Sequence, residues 1–388
     1  MRFFQADTVY PLTSDPIRNG IVVCDEEGFI LDVLQHDAVP KDNIESYSGY
    51  IIPGFVNSHC HLELSHLKNK ISTKTGLVDF ALNVISKRAL DPEQHYDAMV
   101  AADDEMFKEG IVAVGDISNL STSFKLKANS RLYYHTFIEL IGINPSKADD
   151  VFKNGLSLYD QLSEYNLKGS LVAHAPYSVS FELMKKISNQ SAHLRAPISI
   201  HNQESEAENN FFLNKSGEIL KLYENLKIET SFFKAYGKNS LPAYIEQFKD
   251  SCQLILVHNT YSTQDDFEVA CKTIEKLFPC VCIKANLFIE NRVPSIDQWK
   301  NHNLKIVIGT DSLASNDRLS ILSELKVIQK NFPQIDYNSL FTWACLNGAE
   351  ALGINDKYGS IEKGKKPGLV LVSGIENDFA NCTVKRVI

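Results

Sequence analysis

The sequence predicts an α/β protein built on a (β/α)8 barrel, with β-rich segments at both ends of the chain. Three features point there. Eight short apolar runs recur through the middle of the chain, helix-like stretches separate them, and histidines and acids fall where the runs end. A parallel barrel strand is covered on both faces, so its signature is a continuous apolar run rather than an alternating one. A chain of 388 residues suits one such barrel with a smaller subdomain.

The first fifty residues read as short strands: "MRFFQADTVY", "GIVVCDEEGFILDVLQ" turning at "DEEG", and "YSGYIIPGF". Barrel strands are expected at about 51–59, 111–117, 132–140, 169–174, 197–201, 253–258, 280–284 and 305–311. Between them "DFALNVISKRAL", "YDAMVAADDEMFKEG", "FELMKKISNQ" and "TQDDFEVACKTIEKLF" read as helices. The segment 205–250 is long for one βα connection and is expected to add helices over the barrel mouth. The last thirty residues, "GSIEKGKKPGLVLVSGIENDFANCTVKRVI", return to strands and turns. The chain thus divides into 1–50 with 360–388 as a composite β subdomain, and 51–359 as the barrel.

Apolar residues make up 44% and charged residues 22% of the chain, the balance of a soluble globular protein. A formal charge of −9 and a pI near 5.7 argue against nucleic acid and anionic membrane as partners. No apolar stretch reaches the roughly 20 residues of a membrane helix. The N-terminus has Asp and Pro where a signal peptide needs an unbroken apolar region, so a cytoplasmic protein is expected. Eight scattered cysteines without paired spacing agree. Cys280 and Cys282, placed in an apolar strand, read as core packing.

The strand ends carry the chemistry. "YIIPGFVNSHCH" ends in His59 and His61, "GSLVAH" in His174, "PISIH" in His201, "QLILVH" in His258 and "KIVIGTD" in Asp311. In a barrel these ends open on one face, where active sites are built. Residues i and i+2 of a strand point the same way, so His59 and His61 can both face the axis as a metal chelate. Any one of these residues alone is a common structural histidine or acid; the set in register with a barrel is not. His36, His66, His95, His135, His193 and His302 lack this placement and read as surface or packing residues.

With these residues in view the sequence resembles the amidohydrolase superfamily over nearly its whole length. "PGFVNSHCHLE" is similar to the first-strand motif, "HNQES" to the H-x-x-E after the fifth strand, "VHN" to the sixth-strand histidine, and "GTDSLASN" to the eighth-strand motif. "GSIEKGKKPGLVLV" resembles the C-terminal segment, with Gly368 where the motif has Asp. The fourth strand ends in "HAPYSVS", without the bridging Lys of bimetal members, so the subgroup resembled is that of mononuclear deaminases. "HAPYSVS", "ESEAE" and "CIKANLFIENRVP" are most similar to deaminases of adenosine derivatives, aminodeoxyfutalosine among them, and to chlorohydrolase-like relatives. The seventh-strand C-P-x-S-N is replaced by Cys282-Ile283-Lys284-Ala285-Asn286.

The resemblance implies a terminal β-sandwich beside the barrel and a metal-dependent hydrolase of non-peptide C–N bonds. It implies that His59, His61, His201 and Asp311 hold one divalent ion, zinc first, with iron or manganese also accepted by such ligands. Asp311 would also pass a proton from water to leaving ammonia. Glu204 would protonate a ring nitrogen, and His258 would bond the attacking hydroxide. Glu63 is expected to accept from sugar hydroxyls, His174 to contact ribose or ring, and Asn286 and Arg292 to meet a polar or anionic tail. Ser312, Ser315 and Asn316 are expected to shape the turn after Asp311. The partner is a small molecule; family members are often dimers, the one ground for expecting a homodimer. Two other readings use the same residues: a hydrolase of cyclic amides, amidines or C–Cl bonds, and a non-enzymatic scaffold that should have lost some ligands.

Overall fold

The computed structural model describes residues 1–35, 44–88, 92–299, 304–375 and 379–388. Its strands are β1 Arg2–Val9, β2 Ile17–Arg18, β3 Ile21–Cys24, β4 Ile30–Leu34, β5 Ile44–Pro53, β6 Phe55–Cys60, β7 Ile111–Ser118, β8 Tyr133–Leu140, β9 Lys168–Ala173, β10 Ile198–Asn202, β11 Leu254–His258, β12 Leu277–Val281, β13 Val307–Ile308, β14 Leu369–Ser373 and β15 Thr383–Arg386.

Both chain ends meet in one seven-stranded sheet, ordered β15-β14-β5-β1-β3-β4 with β2 on β1. β5 lies between them, parallel to β1 and antiparallel to β14. Phe4, Val22, Ile51 and Leu369 pack into a small core of their own on this sheet. The run expected as one barrel strand at 51–59 is two strands. β5 ends at Pro53, which has no N–H to donate, and β6 starts the barrel at Phe55. The boundary expected at residue 50 therefore falls inside β5. Gly368, which departs from the family motif, has φ +68°, and a Cβ there would sit 2.9 Å from Val112 Cγ1. Aspartate would be strained at that position.

The barrel is β6 to β13, all parallel, in two four-stranded arcs, β6-β7-β8-β9 and β10-β11-β12-β13. Two seams close it. His201 N–H donates to His174 O (2.9 Å), and the N–H groups of Thr310 and Asp311 both donate to His59 O (3.1 Å). Asn57 staples the second seam: its amide oxygen accepts from Thr310 N (3.1 Å) and its NH₂ donates to Thr310 Oγ1 (2.8 Å). The segments "NSHCH" and "GTD" thus carry the chemistry and close the barrel together. At Gly309 a Cβ would lie 2.9 Å from both His59 Cβ and Cys282 Sγ, so no larger residue fits. β6, β7, β10, β11 and β12 are buried along their whole length, as parallel strands should be.

The seventh barrel strand lies earlier than expected. β12 spans Leu277–Val281 rather than 280–284, and Ile283–Ile289 is a helix. The run "LFPCVCIKANLFI" is apolar apart from Lys284 and Asn286, and hydropathy alone cannot divide strand from helix within it. Cys280 is therefore in the strand, whereas Cys282 precedes the helix. The preceding helix ends at Thr273, so Leu277 and Phe278, expected as its tail, open β12. The segment 205–250 does add helices: Glu206–Asn214, Glu218–Asn225 and Ser240–Tyr244.

Candidate active site

The strand ends gather the expected residues in one place. Nε2 of His61 lies 3.0 Å from Nε2 of His59 and 3.3 Å from Nε2 of His201. Asp311 Oδ1 lies 3.4 Å from His61 Nε2 and 3.7 Å from His59 Nε2. Among the described residues these four form a group whose donor atoms all fall within 4.8 Å of one another.

The protonation pattern decides what such a group can hold. Burial lowers the His61 imidazole to about 4, helped by His59, and lowers His201 well below its usual value. Both rings are neutral near pH 7. His201 Nδ1 is 2.6 Å from the His174 carbonyl, which can only accept, so Nδ1 carries the hydrogen and Nε2 is a bare lone pair. Two bare nitrogens at 3.0–3.3 Å repel, so each of these contacts needs a hydrogen or a cation between its atoms. Burial pushes the Asp311 carboxyl up, but a hydrogen bond from His59 and the His61 and His258 imidazoles outweigh it and hold the group well below the usual range. Three imidazole nitrogens, one carboxylate and a tether behind His201 fit a single divalent ion.

The backbone is bent to make this possible. His258 and Asp311 take left-handed φ values of 73° and 56° at the ends of their strands. Such strain costs about 1–3 kcal/mol per residue and persists where surrounding contacts over-determine it. Ser315 donates to Asp311 Oδ2, Ser312 Oγ accepts from Ala314 N (3.2 Å), and Asn316 donates to Thr310 O (2.9 Å). These three residues do shape the turn.

Beside the group stand Glu204 and His258, with Glu204 Oε1 3.6 Å from His258 Nε2. Burial, then the charges of Asp311 and Glu290, push the Glu204 carboxyl well above the usual range. Burial lowers His258. Its Nδ1 lies 2.8 Å from Asn286 Oδ1, an acceptor, so Nδ1 bears the hydrogen and Nε2 faces Glu204.

A cavity of about 470 Å³ opens above these groups, and His61, His174, His201, Glu204, His258 and Asp311 all line it. Its wall is apolar. The helix Leu77–Lys87 contributes Leu77, Phe80, Ala81, Val84 and Ile85, one helical stripe. Leu222, Tyr223, Leu226 and Ile228 of the added segment stand opposite. Glu290 fixes the first helix by accepting from Leu77 N (2.8 Å). A larger cavity of about 550 Å³ opens at the strand beginnings, near Gln253, Leu277 and Glu350, and no histidine lines it.

Three expected substrate contacts are elsewhere. Glu63 is 2% exposed, and its carboxylate accepts from Asn119 N (3.1 Å), Thr122 Oγ1 (3.4 Å) and Arg88 Nη2 (3.5 Å). β6 stops at Cys60, His61 caps the 3₁₀ turn Leu62–Leu67 that follows, and strand alternation does not extend to Glu63. Asn286 is fully buried behind His258 and orients it. Arg292 is exposed and stacks its guanidinium 4.4 Å from the Tyr261 ring. His66, His95, His135 and His193 stay outside the cavity lining, and His36 and His302 lie outside the described residues. Glu139 and Asn119 line the cavity and were missed. "TFIEL" held the signal for Glu139, an acid near a strand end.

The amidohydrolase family pattern matches residues 50–388. The chain belongs to the amidohydrolase family. An adenosine deaminase of Helicobacter pylori is 28% identical over 325 residues, 82% of this chain and 78% of that protein. The crystal structure of Helicobacter pylori aminofutalosine deaminase with methylthio-coformycin superposes over 100% of both chains with a TM-score of 0.86 at 23% identity. An adenosine deaminase from Xanthomonas campestris with bound zinc has a TM-score of 0.74 at 21% identity, covering 97% of this chain and 86% of that one. These two structural likenesses are likenesses of fold. No described helix of this amidohydrolase is long and apolar enough to cross a membrane.

Proposed function

We propose that this amidohydrolase removes an amino group hydrolytically from a heterocycle, best an adenine nucleoside, with one divalent ion, best zinc. One observation carries the reading: the Glu204 carboxyl, pushed well above its usual range by burial, stands beside three convergent imidazoles and a carboxylate. The relatives named for adenosine and aminofutalosine deamination support the substrate class.

His59, His61, His201 and Asp311 would hold the ion. When bound, such an ion supplies a water that loses its proton near neutral pH. Glu204 gives its proton to the ring nitrogen beside the attacked carbon and so neutralises the charge that develops there. His258, locked by Asn286 with Nε2 toward Glu204, orients the attacking oxygen. Asp311 would accept a proton from the attacking water and hand it to the departing amine. As the amine leaves, the hydroxyl of the tetrahedral centre returns a proton to Glu204, so the net change is water plus C(NH₂)=N to C(=O)–NH plus ammonia. Loss of ligands, expected of a scaffold, has not occurred.

The test is ammonia release by zinc-loaded protein from adenine nucleosides, other aminated rings, cyclic amides and a chlorotriazine. Ammonia with the matching oxo-ring from an adenine nucleoside supports the proposal. Activity confined to cyclic amides or C–Cl bonds, with metal bound, contradicts it.

A further inference from the structure

Among the described residues, Glu139 is the one acid lining the cavity that this mechanism leaves unused. It is the next-to-last residue of β8, and its side chain is 3% exposed. Oε2 accepts from Asn119 Nδ2 (2.9 Å). Oε1 is buried and has no hydrogen-bond partner. Its nearest cationic candidate, His201 Nδ1 at 3.8 Å, already donates to the His174 carbonyl. His174 has Nδ1 2.7 Å from Ser178 Oγ, which leaves Nε2 for the cavity. Glu139, His174 and His201 have donor atoms within 4.8 Å of one another.

A buried carboxylate oxygen without a donor is costly, so the site is built for something that brings one. A second cation is poorly served: His201 Nδ1 is committed as a donor, and two protein ligands are fewer than a divalent ion usually takes. A hydroxyl is well served. The carboxylate can only accept, and the imidazole can accept or donate beside it. The geometry also separates the tasks. Glu139 and His174 lie on the β8–β9 side of His201, whereas Glu204 and His258 lie on the β10–β11 side.

Resting on the nucleoside reading above, we propose that Glu139 and His174 form a hydroxyl subsite that takes the vicinal diol of the sugar and selects ribonucleosides over deoxynucleosides. The subsite takes over the role expected of Glu63, whose carboxylate is held by Asn119, Thr122 and Arg88.

The test compares adenosine, 2′-deoxyadenosine, 3′-deoxyadenosine and 2′,3′-dideoxyadenosine on the metal-loaded wild type, Glu139→Gln and Glu139→Ala, with bound metal measured in each. The wild type should prefer adenosine to the dideoxynucleoside by about tenfold or more in kcat/KM. In Glu139→Ala that preference should shrink to within about threefold, with Glu139→Gln between. Ser178→Ala, which frees His174, should reduce the same preference and serves if the Glu139 variants do not fold. A wild type indifferent to the hydroxyls overturns the subsite. So does an equal loss on all four nucleosides, or loss of metal in the Glu139 variants, either of which makes Glu139 a support for His201. A metal-loaded wild type that deaminates none of the four removes the nucleoside reading and the subsite with it.

Discussion

The floor and the wall of the cavity are made differently. The floor is strand ends, each side chain held from behind: His201 by the His174 carbonyl, His258 by Asn286, Asp311 by Ser315. The wall is largely helical, set by the apolar stripe of Leu77–Lys87 and by Leu222 and Tyr223 of Glu218–Asn225. A floor of this kind can set the reaction, and a wall of this kind can set which apolar neighbour of the ring is tolerated. Changes to the floor should therefore fall on metal and kcat, and changes to the wall on KM.

The largest effect should come from the floor. His61→Ala removes one of the converging nitrogens and should lose both bound metal and turnover, read by elemental analysis and ammonia release. Next is Asn286→Ala, which frees His258 while leaving the four-residue group intact. It should retain metal and lose about 10–100-fold in kcat, as partners behind a site residue usually do. Phe80→Ala, in the wall, should raise KM by about tenfold with kcat nearly unchanged. A kcat loss there equal to that of Asn286→Ala would erase the distinction between floor and wall.

The smallest effect is at the joint between the two. Glu208, in the helix Glu206–Asn214, accepts from Gln203 N (2.9 Å) and from Ser240. Burial raises its carboxyl from 4.5 to about 8, against hydrogen bonds from Ser240 and Gln203, with the nearby Glu204 adding to the rise. The folded chain then keeps a proton that the unfolded chain releases. Stability from this group falls as pH climbs from about 4.5 to about 8 and is level beyond. Glu208→Gln at equal metal loading should gain thermal stability relative to wild type between pH 5 and pH 8. A constant difference across that range would remove the titration.

The floor was legible in the sequence because each residue ends an apolar run, and barrel strands all end on one face. The wall was not. "LVDFALNVISK" is an ordinary amphipathic stretch, and its apolar stripe turns toward the cavity only because Glu290 and the segment 205–250 place it there. Glu63 was misread because the strand stops one residue before His61, and alternation cannot be carried past a strand's end. Asn286, expected to meet a polar or anionic tail, falls on the helix Ile283–Ile289 and sits behind His258. Glu139 was missed because Leu140, not the acid, closes its run.

The most direct test of the central claim is to measure bound metal and ammonia release on the same preparation of Glu204→Gln. The account predicts metal at wild-type stoichiometry and a rate lower by about 10²–10⁴, because the ion's ligands are intact and the ring nitrogen has lost its proton donor. Full metal with full activity would contradict it.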